Sequence, residues 1–200
     1  WQRVAQPAVT RAHAVAATAE HLLWLGGMGH NGRTRREAHV LDVATGEWSS
    51  APRFPTRGFG AAAVAIDGAF LASGSDATVY RWQPGQDAWQ PAGEMLYSRF
   101  FHRLVDGGEL GVVAVGGASG GSRVRAIERL VPRTQRAAAD LVHWTVPNPG
   151  SAKGREAVAV VGDELVFAGG TRSMDQHGFA ADHMLTEVWA FHLVTQEWRR

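Results

Sequence analysis

The sequence predicts an all-β fold of four similar sheets fanned around an axis, as in a β-propeller. Tryptophans at positions 1, 48, 89, 144 and 198 divide the chain into units of 47, 41, 55 and 54 residues. Each unit also contains an apolar run that ends in glycine, at 22–27, 70–74, 112–117 and 165–170. Two markers that recur in phase predict a repeat architecture rather than one irregular domain.

Four short segments with strand character follow one another in each unit. The first is a small-residue run ending at a turn, at 13–21, 60–68, 102–108 and 156–163. The glycine-ended apolar run, an aromatic or branched segment and the tryptophan segment come next. Val, Leu, Ile and aromatics between Gly, Asp, Asn or Pro are typical of strands, and no stretch keeps a helical period. We therefore expect antiparallel four-stranded blades at roughly 10–50, 57–93, 99–146 and 155–200, with 1–5 as an outer strand.

Side-chain size indicates which strand lies nearest the axis. Small side chains suit that strand because the centre of a propeller has little room. They occur in the first strand of three units, as Ala14, Ala16, Ala61, Ala63, Ala157 and Ala159. The glycine pair permits close approach of backbone, and the tryptophans are expected to fill space between neighbouring blades.

This unit resembles the kelch repeat, and the resemblance covers essentially the whole chain. Blade two departs from the pattern with Ser73-Gly74 in place of Gly-Gly, and 124–143 is longer and richer in arginine than a third strand needs. The resemblance implies a ring of six or seven blades, the usual number in kelch propellers. The four units found here therefore favour part of a larger ring over a closed four-bladed ring. A start at Trp1, without an initiator methionine or a signal-peptide pattern, also favours a piece of a longer chain.

Composition excludes several classes of function. The 200 residues include no cysteine, so disulfides, thiolate nucleophiles and zinc–cysteine sites are excluded. A formal net charge of +1 argues against a nucleic-acid partner. No run of 18 apolar residues is present, so membrane insertion is not expected. No motif calls for a cofactor, and we predict none.

Arginines supply the first set of candidate ligand-binding residues. One stands at the entrance of each predicted inner strand; the four are Arg11, Arg57, Arg99 and Arg155. A ring of arginines at the mouth of the channel would attract acidic ligands. The alternative is that each arginine pairs with a neighbouring blade or caps a carbonyl, since single exposed ion pairs contribute little.

The loop 28–36 supplies the second set of candidates. Its basic side chains are His30, Arg33, Arg35 and Arg36. Guanidinium groups bind carboxylates through paired hydrogen bonds, so the loop could hold an acidic peptide or a sugar carboxylate. The alternative, which the residues favour, is a solvated basic turn.

A metal site is a weaker hypothesis, centred on loop 171–186. The residues of metal-ligand type there are Asp175, His177, Asp182 and His183. No HExxH and no EF-hand spacing accompanies them, and polar loops collect such residues by chance. We therefore predict no metal site and keep these four as weak candidates.

The leading functional hypothesis is a binding module that presents the loops of one propeller face to a protein segment or a glycan. That partner would be acidic if it binds the arginines. An enzyme of kelch type that acts on a sugar or sugar acid, as a mutarotase or epimerase, is the alternative. It would need positioned Arg, Glu and His side chains, which the four arginines, Glu156 and His102 could supply. Copper radical chemistry of kelch type needs a cysteine-linked tyrosine, which this chain cannot form. A purely structural scaffold is the third hypothesis.

We expect His13 and His102 to be packed and hydrogen-bonded rather than ligands or bases.

Overall fold

A computed structural model describes residues 5–108, 111–124, 126–130, 143–145, 156–171, 173 and 180–200, the segment 143–145 by its backbone alone. This part of the chain forms four-stranded antiparallel sheets, one for each predicted unit, and contains no α-helix. The all-β prediction and the four-blade prediction are therefore confirmed.

The strands of each blade follow one another along the chain. Blade one consists of β1 (Ala14–Ala17), β2 (His21–Leu25), β3 (Ala38–Asp42) and β4 (Trp48–Ala51). Blade two consists of β5 (Ala62–Ile66), β6 (Ala69–Ser73), β7 (Thr78–Trp82) and β8 (Gln90–Glu94). Blade three consists of β9 (Arg103–Asp106), β10 (Val112–Val115), β13 (Ala126–Leu130) and β14 (His143–Thr145), with a small hairpin of β11 (Ala118–Ser119) and β12 (Ser122–Arg123). Blade four consists of β15 (Ala157–Val161), β16 (Glu164–Ala168), β17 (Val188–His192) and β18 (Trp198–Arg199), with a 3₁₀ helix at Ala181–His183 before β17.

Strands within a blade pair in chain order, because tight turns join them. Asp67 and Gly68, between β5 and β6, have φ of 50° and 71°, the left-handed pair that a two-residue hairpin turn requires. Gly120 and Gly121 join β11 to β12 in the same way, with φ of 54° and 83°. That extra hairpin was not predicted, although its Gly-Gly turn is visible in the sequence.

The inner strands lie side by side in the order β1, β5, β9, β15. Between each neighbouring pair of blades lies one apolar cluster. Phe54, Phe70 and Trp89 meet Leu23 and Leu25 between blades one and two. The second cluster, between blades two and three, contains Ala62, Val79, Met95, Leu104, Val112, Ala114 and Leu130. The third, between blades three and four, contains Val105, Val113, Val115, Ile127, Leu165, Phe167, Phe191 and Leu193. The core thus lies between the sheets, as in a propeller.

The two outermost blades each keep one open face. Val15 is 48% exposed on β1, and Val161 is 62% exposed on β15. Ala157 and Ala159 are also exposed, so the expectation that small residues of the inner strand are enclosed fails in blade four. The described parts of β15 and β1 do not pack side by side as the other inner strands do. A larger ring, in which further blades would cover these faces, stays a prediction.

The tryptophan prediction is confirmed at Trp89. Its ring lies 5.3 Å from that of Phe54, is 5% exposed, and donates from Nε1 to the carbonyl of Pro52 at 2.8 Å. Trp48 is half-buried and donates to the carbonyl of Ala5. The predicted outer strand 1–5 lies outside the described residues except for Ala5, so its pairing stays a prediction.

No helix in the described part of the chain has the length and apolar character needed to cross a membrane.

Candidate functional site

One end of the blades gathers most of the candidate residues. Strands β2, β6, β10 and β16 end there, each followed by its glycine marker, and the inner strands begin there. We call this end the loop face. At Gly117 the reason for glycine is direct, because φ is 86° and a Cβ would lie 2.8 Å from the carbonyl of Phe100. The chain that enters an inner strand therefore presses against the glycine marker of its own blade.

Backbone hydrogen bonds bring the two arginine sets together in blades one and two. Arg11 and Met28 form a bridge, and Met28 also pairs with Thr34. The carbonyl of Arg35 accepts from the N–H of Gly58 at 3.1 Å, next to Arg57. The entrances of both inner strands and the loop 28–36 thus form one connected stretch of backbone.

Four guanidinium side chains on this stretch are exposed, and we call them the basic surface; they are Arg11, Arg33, Arg35 and Arg57. His30 is exposed beside them in the loop 28–36. The neighbouring acid is Glu37, 3.8 Å from Arg35. Although partial burial opposes it, hydrogen bonds from the backbone of Glu37 and Arg36, with the charge of Arg35, lower the pKa of Glu37. Glu37 is therefore ionised at neutral pH and offsets part of the positive charge.

Arg36 is already engaged within the protein. Its Nε donates to the carbonyl of Phe54 at 2.7 Å, and its Nη2 donates to that of Pro55 at 2.5 Å. Both acceptors belong to the segment that leads into blade two. Arg36 thus joins two blades and is not free to grip a ligand, an engagement that neither hypothesis for the loop 28–36 predicted.

Arg99 does not share the surface of Arg11 and Arg57. It is 1% exposed and forms an ion pair with Glu128, which is 0% exposed. Its Nη1 also donates to the carbonyls of Gly116 and Ala126, at 2.9 and 3.1 Å. Burial lowers the pKa of Arg99 to about 10, so the guanidinium stays charged at neutral pH. The predicted ring of four ligand-binding arginines therefore does not form, because Arg99 is enclosed.

The reason lies in a one-residue shift between the blades. Phe100, not Arg99, forms the bridge with Ala118 that corresponds to the bridge between Arg11 and Met28. Neighbouring residues in extended backbone point to opposite sides, so a shift of one turns the side chain inward. In the sequence, the number of residues between each arginine and its glycine marker varies among the blades, so a shift of one residue could not be recognised from it. Arg155 lies outside the described residues.

A buried polar contact crosses from blade two to blade three. The Oγ of Ser73 lies 2.6 Å from Nε2 of His102, and the two residues are 0% and 1% exposed. Burial, followed by the charges of Arg99 and Arg103, lowers the pKa of His102 to about 3, so the ring is neutral. Ser73 replaces the first glycine of the marker in this blade, and its hydroxyl supplies the partner for that ring. His102 is packed and hydrogen-bonded, as predicted.

Glu156 is a further buried polar residue at this end. It precedes β15, is 9% exposed, and its Oε2 has no hydrogen-bond partner. Its Oε1 lies beside blade three, where a Cβ on Gly116 would approach to 2.7 Å.

The weak metal candidates fall mostly outside the described residues. Asp175 and His177 lie there, whereas Asp182 and His183 are neighbours in the 3₁₀ helix, with 3.8 Å between carboxylate and ring. Among the described residues no three groups of ligand type come together in a way that could hold a metal ion.

The fold and this site define a class of protein, a β-propeller with a basic loop face. No profile of a known protein family matches the chain. Over 94 residues, 42% of this chain, it is 30% identical to Kelch-like protein 38 of Rattus norvegicus, but this match covers only 16% of that protein. Its fold is similar to that of YjhT, with a TM-score of 0.73 and 16% identity, over 95% of this chain and 70% of the YjhT chain. The likeness to YjhT and the four sheets show a β-propeller fold, and part of the chain is similar in sequence to a Kelch-like protein.

Proposed function

We propose that this chain is a binding module that holds an acidic protein segment on its basic surface. The observation that carries the proposal is the connected backbone of blades one and two, which presents four exposed guanidinium groups on one face. Guanidinium groups bind carboxylates in charge-assisted, often paired, hydrogen bonds. Loops on a rigid scaffold are also where propellers place their binding residues.

An acidic segment suits this surface because Glu37 is the described acid that contacts it. Complementary charge raises the association rate and selects partners by sign. The hypothesis of an enzyme acting on a sugar acid loses two of its residues. Arg99 and His102 are each 1% exposed. Arg99 is bonded to Glu128 and to a backbone carbonyl, and His102 is in contact with Ser73, so a substrate does not reach either side chain.

The test measures fluorescence anisotropy of a fluorescein-labelled octaglutamate peptide with the chain and the double variant Arg33→Gln, Arg35→Gln. We expect saturable binding that weakens about ten-fold in the variant, a loss of about 1.4 kcal/mol, and that weakens further as salt screens the charges. Both side chains are exposed, so the variant should keep its fold.

The matched control removes two arginines elsewhere. In the variant Arg81→Gln, Arg199→Gln, the changes lie in β7 and β18, towards the opposite end of the blades. This variant has the same net charge as the first and should bind the peptide like the unchanged chain. Equal weakening in both variants would show attraction by net charge alone and would refute a defined surface.

A further inference from the structure

A cavity of about 360 Å³ lies between blades two and three. Much of its lining is apolar and comes from both blades, namely from Ile66, Leu71, Val79, Val112 and Leu130. Ile66 and Leu71 are only half-buried, so this apolar lining is open to solvent. Sites for small organic ligands have such volumes and combine an apolar lining with a few polar groups.

The cavity reaches the end of the blades opposite to the loop face. Asp67 and Gly108 line it there, in the turns that join the inner strand to the second strand of blades two and three. Both residues are exposed, so a ligand can enter from solvent at this end. The cavity is therefore separate from the basic surface.

Two charged side chains border the cavity from opposite walls. Alternate residues of a strand share one side, so Arg81 in β7 points to the side of Val79, and Asp106 in β9 points to the side of Leu104. Val79 and Leu104 belong to the apolar cluster between the two blades. The guanidinium of blade two and the carboxylate of blade three thus both face the gap in which the cavity lies.

These two side chains do not pair with each other. None of the ion pairs in the described part of the chain includes Arg81, Asp106 or Asp67. Nη2 of Arg81 donates to the side-chain oxygen of Gln83 at 3.3 Å, and Oδ1 of Asp106 accepts from the N–H of Gly108 at 2.9 Å. A guanidinium and a carboxylate therefore stand on two sides of an apolar cavity, each bonded within the chain to a neutral group.

A β-bulge forms part of the wall in blade two. The register passes from Val79 opposite Gly93 to Tyr80 opposite Pro91. Ala92 is therefore the extra residue of β8, and both Ala92 and Gly93 line the cavity. Because β-bulges disrupt a ladder and are over-represented next to functional sites, the bulge is an independent feature that points to a site here.

We propose that this cavity binds a zwitterionic amino acid with an apolar side chain, for which leucine is the probe. The carboxylate of the ligand accepts paired hydrogen bonds from Arg81, and its ammonium group donates to Asp106. Its aliphatic side chain is buried against Leu71 and Val112. Opposite charges on two walls match the two charged groups of such a ligand, whereas a ligand with one charge leaves one wall unmatched. The inference goes beyond the proposed function and does not depend on it.

Three relatives of L-leucine each lack one of the groups that the site recognises. N-acetyl-L-leucine lacks the ammonium group, L-leucinamide lacks the carboxylate, and glycine lacks the apolar side chain. The measurement is the amide nitrogen and proton chemical shifts of Gly93, Gly108 and Gly111 as each compound is titrated. We expect saturable shifts with leucine, and binding about ten-fold weaker or none with each of the other three.

The variant Asp106→Asn keeps an oxygen that can accept from the N–H of Gly108 but removes the charge. We expect it to bind leucine about ten-fold more weakly. The matched control is Asp163→Asn, at an exposed position in the corresponding turn of blade four, which should bind leucine like the unchanged chain. The spectrum of the free variant shows whether it is folded, and Arg81→Gln serves if Asp106→Asn is not.

Leucine shifts that are absent up to the solubility limit of the amino acid, or that glycine reproduces, overturn the site. Equal weakening in Asp106→Asn and Asp163→Asn overturns it as well. Leucinamide that binds as tightly as leucine shows a site for organic cations and refutes recognition of a zwitterion. Binding of octaglutamate should be the same in Asp106→Asn as in Asp163→Asn, so the failure of either proposal is visible without the other.

Discussion

Blades one and two meet through aromatic rings, whereas blades two and three also meet around buried polar groups. At the first junction Phe54 is fully buried, with the ring of Trp89 at 5.3 Å and that of Tyr80 at 5.6 Å. At the second, Ser73 contacts His102, and the N–H of Leu96 donates to Oε2 of Glu128 at 2.5 Å. Both junctions use the same four-stranded unit.

The difference teaches that the repeat fixes where blades meet but not what holds them together. Burial of aromatic surface is non-directional and tolerates small changes. A buried ion pair is different, because removal of one member leaves an uncompensated charge. We therefore expect the second junction to respond far more sharply to single polar substitutions and to pH.

The largest expected effect follows removal of Glu128. The variant Glu128→Ala leaves Arg99 charged, enclosed and without its acid, and leaves the N–H of Leu96 without its acceptor. We expect the free energy of unfolding to fall by about 3–5 kcal/mol, as measured by urea denaturation.

Two further variants sharpen that measurement. Glu164→Ala removes the acid of the exposed pair with Arg199, whose Nε lies 2.6 Å from Oε1, and should change the stability far less. The double variant Arg99→Met, Glu128→Leu should recover most of the loss, because neither charge then remains buried. A loss in Glu128→Ala no larger than in Glu164→Ala would show that Glu128, which pairs with Arg99 and accepts from the N–H of Leu96, is not what secures this junction.

A smaller effect should follow Ser73→Ala. The substitution removes the hydroxyl that lies 2.6 Å from His102 and leaves a buried ring nitrogen unpaired. We expect a loss of about 1–3 kcal/mol in urea denaturation. Ser75→Ala, at an exposed position just beyond the marker, is the matched control and should cost less than 0.5 kcal/mol, roughly. If Ser73→Ala and Ser75→Ala lose the same stability, the contact between Ser73 and His102 does not stabilise the protein.

The smallest expected effect is on pH dependence. The pKa of His102 is lowered to about 3 in the folded chain, below its ordinary value of 6.5, so the unfolded state binds the proton first. The stability due to a neutral His102 is therefore complete above about pH 6.5 and is lost as the pH falls towards 3. Between pH 7 and 5.5 the loss should be about 1 kcal/mol.

His102→Gln should remove this part of the pH dependence, measured as the midpoint of urea denaturation at each pH. His30→Gln, at an exposed position, is the control and should keep the slope of the unchanged chain. If His102→Gln and the unchanged chain lose stability in parallel, the ring is not what makes the junction sensitive to acid.

Much of the fold was predictable because the repeat has strong local signals. The Asp67-Gly68 turn and the alternation in β1, where Ala14 and Ala16 are buried and Val15 is exposed, follow from short-range stereochemistry and a period of two. The basic surface was predictable in part. Arg11, Arg33, Arg35 and Arg57 were candidates, but Arg36 and Arg99 were placed with them although both are engaged inside the protein.

The sequence alone determined the four blades within this chain, the order of their strands and the glycine markers at one end, since each depends on residues close together in the chain. Only the tertiary structure decided which polar side chains face inward. The partners of Arg99 and Ser73 come 29 residues later in each case, and a shift of one residue turns a side chain to the other side. The unpaired carboxylate of Glu156 was hidden for the same reason, because the lack of a partner is a property of everything that surrounds it.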